Sequence, residues 1–88
     1  MNQQSIDKVY KELGKRIVAT RQKKGLSQEQ LASACDIDRS HIGFIEQSRR
    51  RPTVSTLAKI TNALDISLEQ LFKGLGYQRY QRTFLCRC

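Results

Sequence analysis

Apolar residues along this chain recur at helical spacing almost throughout. Ile6, Val9, Tyr10, Leu13 and Ile17, continued by Arg21, fall at three- and four-residue steps and form one stripe. Ser5 stands as the N-cap of this helix. Gly25, following Lys23 and Lys24, stands as its stop, with cations near the negative end of the helix. Beyond Gly25 one device repeats. An apolar residue precedes a capping residue, and a second apolar residue follows the cap by four: Leu26-Ser27 with Leu31, Ile37-Asp38 with Ile42, Pro52-Thr53 with Leu57, Ile66-Ser67 with Leu71. Each fits a hydrophobic staple around a side-chain cap, and Ser27 with Gln30 and Ser67 with Gln70 also fit capping boxes. The pattern predicts an all-α fold, a compact domain of five helices near 5–24, 28–35, 39–47, 54–64 and 68–73. Residues 1–73 read as one domain and 74–88 as a basic, aromatic tail.

The second and third helices are joined by Asp36-Ile37-Asp38 alone, with Ile37 directed inward. Two short helices on so short a joint satisfy the geometry of a helix-turn-helix at about 28–47. An ordinary bundle with tight loops has the same caps, so charge and the third helix must separate the two readings.

Charge changes the picture through its distribution. The 88 residues hold 16 Lys and Arg against 8 Asp and Glu, for a net +8. Residues 1–26 carry +5, residues 27–48 carry −3, residues 49–66 carry +3, and residues 74–88 carry +3. A mildly acidic centre between basic flanks suits a protein that holds phosphates at its edges while a less charged element selects. The hydrophobic fraction of 39% is too high for a disordered polycation. Apolar runs of two or three residues predict no membrane span, and MNQQSIDK has no export signal, so the expected compartment is the cytoplasm. Cys35, Cys86 and Cys88 with the single His41 make no zinc pattern, and no nucleophile–base pair or phosphate loop is visible. No metal, cofactor, small-molecule substrate or enzymatic activity is expected.

In the third helix, Ile42 and Ile45 are assigned to the core, leaving Arg39, Ser40, Gly43, Phe44 and Gln47 on the other faces. Side chains at the N-terminal end of a recognition helix enter the major groove. Arg39 offers a bidentate donor to guanine O6 and N7, Ser40 a donor or acceptor, and Gly43 an absence of bulk where groove and backbone approach. Phe44 has two readings: contact with a thymine methyl, or packing against a neighbouring helix. His41 reads as a phosphate contact, and Lys23 and Lys24 are further candidates for that task. Leu64, Ile66, Leu68, Leu71 and Phe72 exceed what a small core needs and are expected at a dimer interface.

Residues 13–73, and in particular GLSQEQLA, DRSHI, the Ile45-Glu46 pair, RRRP and TLAKITNALDISLEQLF, resemble the Cro and phage-repressor type helix-turn-helix family, also called the XRE family. DRSHIGFIEQSRR looks most like the short controller proteins of restriction–modification systems, with phage or plasmid repressors nearly as similar. The resemblance implies five helices and a homodimer that binds palindromic double-stranded DNA and regulates transcription. It implies that Gln28 holds a phosphate and braces the third helix, that Arg39, Ser40, Gly43 and Phe44 face bases, and that Arg49, Arg50 and Arg51 grip the backbone. It also implies an ion pair between Arg21 and Glu46. The family usually has glycine where this chain has Asp36 and Ser48, two positions that tend to need left-handed backbone. The alternative on the same fold is a protein-interaction module such as an antitoxin.

Overall fold

The computed structural model describes residues 3–73, and the tail 74–88 with Cys86 and Cys88 lies outside the described residues. Five helices follow in chain order: α1 Gln3–Lys23, α2 Gln28–Cys35, α3 Arg39–Glu46, α4 Val54–Leu64 and α5 Leu68–Phe72. No described residue lies in a strand. The predicted boundaries of α2 and α4 coincide with those observed. α1 differs at its start: the helix already runs from Gln3, so Ser5 sits inside it and is not its N-cap. An i,i+4 hydrogen bond from Gln3 Nε2 to Asp7 Oδ1 (3.1 Å) supports that first turn.

The starts of α2, α4 and α5 form as their sequences dictate. Ser27 and Ser67 accept from Gln30 and Gln70 backbone N–H groups, and the glutamine side chains accept in return from the cap backbones, completing both capping boxes. Thr53 caps α4 by accepting from the Thr56 N–H at 3.1 Å. Asp38 occupies the N-cap position of α3 but makes no side-chain cap bond, so the first N–H groups of α3 lack the side-chain acceptor expected there.

The helix ends share a second device. Gly25 (φ 75°), Asp36 (φ 58°), Ser48 (φ 57°) and Asp65 (φ 59°) are all left-handed. The next residue in each case donates its N–H to the carbonyl five residues back: Leu26 to Arg21, Ile37 to Ala32, Arg49 to Phe44 and Ile66 to Thr61. This is the 6→1 closure of a Schellman motif. In three cases the donor is apolar and packs on the core; in the fourth it is Arg49, which is exposed. The chain therefore turns inward after α1, α2 and α4, and outward after α3.

The core consists of Leu13, Ile17, Leu31, Ala32, Cys35, Ile42, Ile45, Leu57, Ile60, Leu64 and Leu71. Helix α3 packs on α1 and α2, α2 also packs on α4, and α5 closes the far side against α1 and α4. Two expected interface residues, Leu64 and Leu71, belong to this core. Both are 0% exposed within a single chain, because Leu64 on α4 and Leu71 on α5 lie where these two helices pack together. They are therefore removed from the expected dimer surface, which leaves half-buried Ile66 and Leu68 and exposed Phe72. Burial raises the pKa of the Cys35 thiol, opposed by the nearby Lys59 charge, and its Sγ lies 3.6 Å from the Lys59 carbonyl oxygen. Among the described residues no helix is long and apolar enough to cross a membrane.

Candidate nucleic-acid interface

Helix α3 buries Ile42, Ile45 and Glu46 and turns its remaining side chains away from the core. Glu46, only 9% exposed, is the polar exception and needs partners. Arg21 Nε donates to its Oε2 at 2.7 Å, Arg21 Nη2 to Oε1 at 3.4 Å, and Gln28 Nε2 to Oε1 at 2.8 Å. Arg21 Nη1 also donates to the Leu26 carbonyl oxygen at 2.8 Å. One carboxylate thus ties the last turn of α3 to the end of α1 and the start of α2. The side chains of Arg21 and Glu46 are 11% and 3% exposed, so water screens this pair little.

Gly14 completes the seat of α3, and no local pattern in the sequence marks it. A Cβ on Gly14 would meet the Glu46 carbonyl oxygen at 2.5 Å and that of Ile45 at 3.0 Å. Glycine is required there by the close approach of two backbones. Gly43 differs: a Cβ would stand 3.9 Å from the Gln28 amide, an ordinary contact. The chain's own packing therefore does not demand glycine at Gly43.

In front of this seat, Arg39 and Ser40 are exposed at the first turn of α3, with Gly43 and His41 half-buried. The Arg39 side chain makes no hydrogen bond or ion pair with any described residue, Asp36 included. Phe44 is half-buried and lies outside the core cluster. Its ring is covered by the Arg50 guanidinium, 5.5 Å from the centroid.

The three consecutive arginines have different settings. Arg49 and Arg50 are exposed beside α3. Arg51 turns back to α1, where Nη2 donates to Asp7 Oδ1 at 2.7 Å and the guanidinium lies 4.7 Å from the centre of the Tyr10 ring. Arg16 is also occupied, its Nη1 donating to the carbonyl oxygens of Leu71 (3.2 Å) and Lys73 at the end of α5. Lys23 and Lys24 are exposed and line a groove with Thr20, Ile66 and Gln70, on the α1–α5 flank and not among the α3 side chains. Neither the Arg51 latch nor the Arg16 contacts has a signal in the sequence, because the partners lie 44 and 55 or more residues away.

The arrangement is a short helix with a polar, cationic outer face, held from behind by an ion-pair network and followed by exposed arginines. It can present donors to an anionic surface with α3 in a defined orientation. A family model described as Helix-turn-helix matches residues 17–71. An HTH-type transcriptional regulator of Rickettsia conorii is 36% identical over 70 residues, covering 80% of this chain and 56% of the relative. The chain spans about half the length of the curated relatives it first matches. The crystal structure of the restriction-modification controller protein C.AhdI from Aeromonas hydrophila is 38% identical and has a TM-score of 0.71, over 72% of this chain and 96% of that one. The controller protein C.Esp1396I bound to a 25 base pair operator site is 31% identical with a TM-score of 0.69, over 76% and 88% of the two chains.

Proposed function

The chain belongs to the helix-turn-helix family of DNA-binding transcriptional regulators, of the Cro and phage-repressor type, and from that premise we propose that it is a cytoplasmic, sequence-specific regulator binding a palindromic operator as a homodimer. The carrying observation is the outer face of α3, where Arg39 and Ser40 are exposed while the Arg21–Glu46–Gln28 network holds the opposite side. The operator-bound relative supports duplex DNA as the partner. In this reading Arg39, Ser40, Gly43 and Phe44 address bases. Arg49, Arg50, His41 and Gln28 address phosphates, with Lys23 and Lys24 on the α1–α5 flank. Gln28 donates one amide hydrogen to Glu46 and keeps a second for a phosphate. Residues 1–73 form the DNA-binding unit and 74–88 a basic tail.

A dimer places two copies of α3 about 34 Å apart, one turn of duplex. The open groove along α4 and the start of α5, lined by Ser55, Ala58, Asn62, Ile66 and Leu68 among others, is the surface we assign to it. Selection of bound duplexes from a random pool, with no partner protein present, tests the proposal. Palindromic duplexes with a constant half-site spacing are expected. Their affinity should fall by about 10³–10⁵ between 50 and 200 mM salt if six to ten phosphates are contacted. Arg39→Ala is expected to relax discrimination at one base pair per half-site by about 1–3 kcal/mol. Failure to enrich any duplex favours the antitoxin-like reading, and equal losses on selected and random DNA remove Arg39 from base reading.

A further inference from the structure

After α3 the chain doubles back onto a single residue. The Phe44 carbonyl oxygen accepts the Arg49 N–H at 2.8 Å and the Arg50 N–H at 3.3 Å. The left-handed Ser48 makes this return possible. The same turn lays the Arg50 guanidinium over the Phe44 ring. Its two neighbours do otherwise: Arg51 is held on α1 by Asp7 and Tyr10, and Arg49 has no ring or carboxylate partner among the described residues. Three adjacent residues of one type thus stand in three different settings.

We infer that Arg50, grouped above with the phosphate contacts, is instead a positioning residue for base selection through Phe44, and that uniform backbone grip at this turn falls to Arg49. The inference rests on the DNA-reading function proposed above. An aromatic ring at a half-buried helical site has a broad torsion about its second side-chain bond. A guanidinium held on one face restrains that torsion and leaves the rest of the ring for a partner. A cation placed this way at an exposed site favours one pose about two- to five-fold. The backbone bonds from both arginines to Phe44 fix the origin of the two side chains, so the stack is part of the turn and not a chance encounter of long side chains. In the outward-facing pose the ring edge is offered to a thymine methyl, the one apolar group on the major-groove edge of the bases.

The test is substitution of uracil for thymine, one position at a time, in duplexes selected by the unaltered protein, since this removes the methyl alone. The unaltered protein is expected to lose affinity about four-fold at one position per half-site, the worth of one buried methyl group. Phe44→Leu should be indifferent there. Arg50→Lys keeps the charge but not the planar stacking group and should lose the same sensitivity, whereas Arg49→Lys should retain it. Thermal unfolding of each variant confirms the fold. If Arg50→Lys keeps full methyl sensitivity, or weakens all duplexes alike as Arg49→Lys does, the positioning role is overturned. If no uracil-sensitive position exists, or Phe44→Leu remains sensitive, the inference also falls while DNA binding stands. If the unaltered protein selects no duplex, the underlying function fails and takes the inference with it.

Discussion

Glu46 shows how much one side chain can hold in place. It accepts from Arg21 and Gln28 while almost fully buried, so its loss leaves the Arg21 guanidinium without its anion at a site that water scarcely reaches. Glu46→Ala and Arg21→Ala are each expected to lower the unfolding free energy by about 3–5 kcal/mol in urea titrations. The double variant should cost much less than the two losses added, because removing both leaves no stranded charge. By contrast, the Arg51–Asp7 pair has side chains 49% and 54% exposed and should contribute about 0–1 kcal/mol. The ion pair is implied by the family resemblance, and the placement of Arg21 on an apolar stripe and of Glu46 beside a core isoleucine agrees with it. The third bond, from Gln28, was expected only as a brace, since its direction depends on a side-chain rotamer. Arg51 was expected on the phosphates with Arg49 and Arg50, and no local pattern distinguishes it from them.

At the scale of the elements, α3 is placed by a contact between backbones. Helices α1 and α3 approach so closely at Gly14 that a methyl group there overlaps the Glu46 carbonyl. Gly14→Ala is expected to destabilise the chain by about 1–3 kcal/mol, although alanine is the better helix former, because α3 must shift outward. The same shift should disturb the Arg21–Glu46 geometry and weaken operator binding even where the variant remains folded. Circular dichroism melts and gel shifts together check this, and a Gly14→Ala variant of unchanged stability would refute the close approach. The helix starts were readable from the sequence because a cap and its staple lie within five residues of each other. The end at Gly25 is readable from its residue type, and the left-handed positions at Asp36 and Ser48 only from the family resemblance. Asp65, also left-handed, carries no such signal in its residue type, and Asp38 lacks the cap bond its position suggests. Ser5 is not a cap for a simpler reason: a good capping residue also fits inside a helix when the preceding residues are helical.

On the surface of the described residues, the outer face of α3 and the groove along α4 and α5 are the two regions to which the proposed function assigns a partner. Leu68→Glu, on that groove, is expected to shift the protein to monomers in sedimentation and to reduce affinity for a palindrome far more than for a single half-site. A variant that sediments as a dimer would move the interface elsewhere. The basic flanks are likewise divided. Arg16 and Arg51 serve internal contacts, while Arg39, Arg49 and Arg50 remain at the outer face. Periodicity and capping, which act over three to five residues, are local properties, and the sequence by itself therefore determined five helices, their order and the short joint between α2 and α3. Tertiary structure alone decided which apolar residues close the core, as Leu64 and Leu71 do, and which cations stay free. Those outcomes depend on residues brought together from distant positions, and neither spacing nor charge count along the chain carries that distance.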